Sequence, residues 1–133
     1  MVCANSYAFQ LDAGISEIIA PEGNLCTGNY TPEIVLRNFG SNTLTSVDIT
    51  YQVSGSPAQV YNWTGSLTTG QTQVISLPNT SSTAGSYTFT ASTTSPNGST
   101  DQNSSNDGET TNFDIIPNGD QVTLNLLLPV AVF

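Results

Sequence analysis

The sequence predicts an all-β sandwich. Short runs of alternating apolar and polar residues, bounded by Gly, Pro and Asn, recur about every ten to fifteen residues, close to the strand spacing of a sandwich. Ser, Thr and Asn make up more than a third of the 133 residues and only 8% are charged, while the strand-favouring Val, Ile, Thr, Tyr and Phe are plentiful. No segment carries the 3.6-residue periodicity of an amphipathic helix. A chain of this length suits one domain with a core of its own. The domain is expected to span residues 1–117, with residues 118–133 forming a separate C-terminal strand.

Seven strands account for the domain. The first, Asp12 to Ala20, carries Ile15, Ile18 and Ile19, a spacing that breaks strict alternation and predicts a bulge or a change of sheet before Pro21 and Gly23. The second, Glu33 to Asn38, turns Ile34 and Leu36 inward, and Asn38-Phe39-Gly40 closes it. In the third, Val47, Ile49, Tyr51 and Val53 alternate with Asp48, Thr50 and Gln52, so one face is core and the other is wet. The fourth sets Tyr61 and Trp63 on one face, and the only Trp is expected to anchor the core rather than a ligand. The fifth carries Ile75 and Leu77, the sixth Tyr87, Phe89 and Ala91, and the seventh Phe113 and Ile115. Seven strands of this length fit an immunoglobulin-like sandwich whose core includes Tyr51, Trp63, Phe89 and Phe113.

The chain then adds Val122, Leu124, Leu126, Leu128, Val130 and Val132 at every second position, an apolar face on an extended segment. Its apolar run, interrupted by Pro129, is too short for a membrane helix, so no membrane insertion is expected. Three readings compete. The strand pairs within its own sandwich, opens a following module, or is donated to an identical subunit so that a homopolymer grows by strand addition.

Ten Asp and Glu face one basic residue, Arg37, and the chain has no Lys and no His, giving a net charge of −9. A nucleic-acid surface needs cations to replace phosphate counterions, so nucleic acid is excluded as a partner. Without His there is no Ser-His-Asp or Cys-His machinery, and without Lys no Schiff base. Paired-carboxylate hydrolysis remains the one enzymatic route, and no enzyme is expected. Cys3 and Cys26, an even pair in a Ser/Thr-rich β chain, suggest a disulfide and an oxidising, extracellular setting. No basic-plus-apolar leader precedes them.

Several motifs occur in order: "RNFGSNTLTSVDITYQV", Leu67 with Gly70 in "SLTTGQT", "GSYTFTA" and "PNGSTDQNSSND". Over about residues 11–116 the sequence resembles the CARDB-like, adhesion-related immunoglobulin-like modules of bacterial secreted and surface proteins. The resemblance implies a non-catalytic module at the cell surface or outside the cell, working beside neighbouring domains, as an adhesin element or as an accessory of an extracellular hydrolase.

The hairpin "TDQNSSNDGE" places Asp101, Asn103, Ser105, Asp107 and Glu109 two residues apart. Oxygen ligands at such spacing can wrap calcium, and Asp101, Asn103, Asp107 and Glu109 are its candidate ligands. Asn106 and Asn112 stand where a helix-loop-helix calcium loop needs Gly and a bidentate acid, so a turn joining strands six and seven is the plainer reading. A carbohydrate site would draw on Tyr7, Tyr30 and Tyr61. Asn-x-Ser/Thr triplets begin at Asn29, Asn62, Asn79, Asn97 and Asn103. The expected role is a structural or adhesive extracellular module. A strand-donating filament subunit is the alternative, and a calcium- or carbohydrate-binding accessory module stands beside it.

Overall fold

The computed structural model describes residues 9–116. In chain order the strands are β1 (Ala13–Ala20), β2 (Gly23–Leu25), β3 (Asn29–Tyr30), β4 (Glu33–Asn38), β5 (Leu44–Val53), β6 (Gln59–Leu67), β7 (Thr72–Ser76), β8 (Thr80–Ser81), β9 (Gly85–Thr94) and β10 (Gly108–Ile115). One sheet has the order β1-β4-β7 and the other β2-β10-β9-β5-β6, with β3 and β8 forming a small separate pair. The fold is an immunoglobulin-like β-sandwich. The seven strands read from alternation are β1, β4, β5, β6, β7, β9 and β10.

Inward positions of both sheets meet in one core. Ile15, Ile34, Leu36 and Ile75 come from the three-stranded sheet, and Val47, Ile49, Trp63, Phe89 and Phe113 from the five-stranded one. Register enforces this, because Val47 lies opposite Trp63, Val53 opposite Phe89 and Tyr51 opposite Ala91, so apolar side chains share one face. Phe113 packs edge-on to Tyr30 at 5.3 Å between ring centroids and stacks on Tyr87 at 5.5 Å. The Tyr87 hydroxyl donates 2.8 Å to the Thr83 carbonyl four residues upstream, the tyrosine corner of immunoglobulin-like sandwiches.

The irregular isoleucine spacing of β1 has two consequences. Its pairing with β4 shifts register between Ile15 and Glu17 and again between Ile18 and Ala20. After the cis Ala20–Pro21 peptide the chain then crosses to the other sheet, where β2 pairs parallel with β10. Both a bulge and a change of sheet are therefore present.

Phe9 and Ile116 lie at opposite ends of the sandwich. The Phe9 carbonyl accepts from the Ser41 amide in the β4–β5 loop. The Ile116 amide donates to Leu25, beyond the far end of β1.

Candidate functional site

The β4–β5, β6–β7 and β9–β10 loops gather at the end where residues 9–12 enter. Asn38, 1% exposed, organises the first two. Its amide nitrogen donates 2.8 Å to the carbonyls of Asn42 and Leu67, and its side-chain oxygen accepts from the Gly40 amide at 2.9 Å. Its backbone pairs with Gln71 and Gly70. The Asn38-x-Gly40 and Leu67-x-x-Gly70 motifs are thus two halves of one junction. Gly40 is required there because a β-carbon would collide with the Gln10 carbonyl.

The β9–β10 loop starts with Ser95 and Asn97 in left-handed backbone, at φ 55° and 52°. The Asn97 side chain clasps the beginning of β5, accepting from the Thr45 amide at 2.7 Å and donating to the Thr43 carbonyl at 2.9 Å. Further along, Asp101 uses both carboxylate oxygens on backbone amides, those of Ala13 at 2.9 Å and Asn103 at 2.8 Å. The Asn103 oxygen accepts from the Ser105 amide and hydroxyl, which sets the second 3-10 turn of the loop, Ser104–Asn106. This turn presses against β1 at Gly14, where a β-carbon would strike the Asn106 carbonyl. The Asp107 carbonyl then accepts from Ile15 at 3.3 Å and Thr93 at 3.1 Å, joining strands of the two sheets.

Under this loop lies Asp12, 4% exposed and immediately before β1. One of its carboxylate oxygens accepts a long bond from the Asn103 amide at 3.4 Å. The other, Oδ1, is buried without a hydrogen-bond partner among the described residues, as are Oδ1 of Asn106 and Oδ1 of Asp107. Burial chiefly raises the Asp12 carboxyl above its usual range, the nearby Asn106 and Asn103 amides partly oppose this, and Asp101 adds repulsion. Asp107 is raised to about 6, first by burial and then by repulsion from Asp101 and Asp12. A cleft of about 440 Å³ lined by Thr94, Ser95, Gly98, Ser99, Thr100, Asp101 and Asp107 opens beside the loop.

Of the four candidate calcium ligands, Asp101, Asn103 and Asp107 belong to this loop, whereas Glu109 is exposed within β10. Asp12, which the hairpin spacing gave no reason to include, stands with the loop residues. Its only signal is a carboxylate placed where the chain is about to enter the core.

The four core aromatics lie inside: Tyr51 8%, Trp63 4%, Phe89 0% and Phe113 2% exposed. Tyr30 and Tyr61 form no sugar platform, since Tyr30 is buried with its hydroxyl against Ser82 and Tyr61 packs on the core. Cys26 is exposed between β2 and β3. Cys3, Tyr7 and the strand Val122, Leu124, Leu126, Leu128, Val130 and Val132 lie outside the described residues.

Neither a protein-family model nor a curated protein sequence matches the chain. Solved structures do. The CARDB domain of a Pyrococcus furiosus protein, crystallised in complex with di-metal ions, superposes with a TM-score of 0.64 at 23% identity, covering 83% of this chain and 98% of that one. The solution structure of the same domain gives 0.62 at 22% identity, over 81% of this chain and 97% of that one. A domain of a candidate cell-surface protein of Methanosarcina acetivorans gives 0.64 at 22% identity, covering 81% and 94%. The chain therefore shares the CARDB fold.

Proposed function

We propose that this chain is a non-catalytic structural module of a secreted or cell-surface protein. The placement of residues 9 and 116 at opposite ends of the sandwich carries the reading, because it suits a unit set between two neighbours along a chain. The fold shared with a domain of a candidate cell-surface protein supports the setting. An enzymatic role draws no support from Asp101 and Asp107, the two acids lining the cleft beside the β9–β10 loop. Asp101 commits both oxygens to backbone amides and Asp107 buries one of its own, so neither is presented as a free acid or nucleophile. Protease treatment of intact cells that make the protein tests the setting. Digestion before lysis is expected, and protection until lysis overturns the proposal.

A second reading, a module that binds divalent cations, is favoured by the buried unpartnered oxygens of Asp12, Asn106 and Asp107. The complex of the Pyrococcus domain with di-metal ions supports it. Thermal melting of the whole chain in EDTA and in millimolar calcium tests it, and a higher melting temperature in calcium is expected.

A further inference from the structure

We propose that Asp12 Oδ1, Asn106 Oδ1 and Asp107 Oδ1 are protein donors of one divalent-cation site, of calcium chemistry, that fastens the start of β1 to the β9–β10 loop. The inference deepens the cation-binding reading above and rests on it.

All three oxygens are buried, and none has a hydrogen-bond partner among the described residues. A buried polar atom without a partner costs about 1–3 kcal/mol, and more when it is charged. Asp12 is the sharpest case, because its residue is 4% exposed and its sequence neighbours are already engaged. Phe39 donates to the Asp12 carbonyl, and the Ala13 amide is held by Asp101. Among the described residues, relief from within the chain is absent as well. The only basic side chain, Arg37, is exposed over the Phe39 ring and is not among the charges that act on Asp12 or Asp107.

A bridging water would satisfy an acceptor but leave the carboxylates repelling one another. A cation does both. It also explains why one loop brings its turn against β1 at Gly14 while spending Asp101 on the backbone amides that hold the loop shut.

Donor chemistry selects the ion. Among the described residues no three Asp, Glu or Cys side chains converge as a ready-made metal centre. The coordination sphere therefore combines two carboxylates with an amide oxygen and water drawn from the cleft. Calcium accepts such mixed, irregular oxygen shells of about six to eight ligands, whereas magnesium demands near-ideal octahedral geometry and keeps its waters. With no His in the sequence, a nitrogen-seeking transition metal has nothing to prefer here.

The test uses the whole 133-residue chain, stripped with EDTA and titrated with calcium chloride by calorimetry, with magnesium chloride as the comparison. Saturable calcium binding is expected, with magnesium weaker. Asp12→Asn and Asp107→Asn should each weaken calcium binding by about tenfold or more. Glu109→Gln, which removes the same charge from the exposed neighbour, should leave it unchanged. Both Asn variants relieve repulsion and should stay folded by circular dichroism, and either alone suffices if the other fails. Absence of calcium binding in the parent chain overturns both the site and the cation-binding reading. Equal binding in the parent and the folded Asn variants overturns the site alone.

Discussion

Two buried polar clusters sit at the same end of this sandwich and have opposite character. Asn38 is 1% exposed and Asp12 is 4% exposed, and each ties together loops far apart in sequence. Around Asn38 the side chain makes three hydrogen bonds to the backbone of two loops, and the junction is complete without outside help. Around Asp12 three buried oxygens have no partner among the described residues, and burial and mutual repulsion raise two carboxylates above their usual range. The difference teaches that burial of a polar group does not by itself mark function. A buried group whose bonds close within the chain is architecture, and one whose bonds do not is addressed to something else.

The largest effect should come from breaking the complete cluster. Asn38→Leu removes all three side-chain bonds and leaves the carbonyls of Leu67 and Asn42 and the amide of Gly40 without them. A loss of about 3 kcal/mol is expected by urea denaturation. The loss should be the same in EDTA and in calcium, since no cation takes part. A calcium-dependent loss would merge the two clusters into one and remove the contrast between them.

Asp12→Asn should behave differently. In EDTA it exchanges a repelled, desolvated carboxylate for a neutral amide and should leave stability unchanged or raise it by about 1 kcal/mol. In calcium at a hundred times the parent's dissociation constant, the parent chain gains about 2.7 kcal/mol, whereas a variant that binds tenfold more weakly gains about 1.4 kcal/mol. The order of stability of the two proteins therefore reverses with calcium. Denaturation curves that keep one order in both buffers would place Asp12 with Asn38 as plain architecture.

The contrast also marks what the sequence could and could not reveal. The seven long strands were legible because alternation at period two is written locally, as in Val47, Ile49, Tyr51 and Val53. Strands β2, β3 and β8 were not, because two or three residues carry no period and their partners are set by tertiary structure. Asn38, Gly40, Leu67 and Gly70 were legible as motifs, but nothing in their spacing said that the two motifs meet. The acidic loop was legible from its Asp and Asn run. Spacing two residues apart extended it to Glu109, which the start of β10 at Gly108 carries into an exposed strand position. Asp12 lies about ninety residues from that loop and reads by itself as an ordinary residue before a strand. Only the fold brings it under Asn103 and Asn106.

A smaller effect should appear with pH in EDTA. The Asp107 carboxyl is pushed up to about 6 in the fold from an ordinary 3.8, so between these limits the folded state binds the extra proton. Lowering the pH from 7 toward 4 should therefore stabilise the metal-free protein, opposite to the usual behaviour of a salt-bridged Asp. Asp12 is shifted in the same direction, and the net charge of −9 adds general repulsion of the same sign. The share that belongs to Asp107 is the difference between the parent and Asp107→Asn across that window, read from melting temperatures. With calcium present, protonation competes with the cation, and the slope should flatten or reverse.

The smallest effect tests whether the rest of the sandwich is as self-sufficient as the Asn38 junction. β10 is hydrogen-bonded on both sides, to β9 along Gly108–Ile115 and to β2 along Phe113–Ile115. Its inward residues are covered, with Phe113 2% and Ile115 6% exposed. A chain ending at Ile116 should therefore melt cooperatively within about 3 °C of the full chain, a change of about 0.5 kcal/mol or less. That outcome leaves Val122 to Val132 available for a neighbouring module or copy, and size-exclusion chromatography of the two chains side by side would show whether assembly is lost with it. A truncated chain that unfolds would instead make the terminal strand part of this core. Self-sufficiency would then belong to the Asn38 junction and not to the sandwich around it.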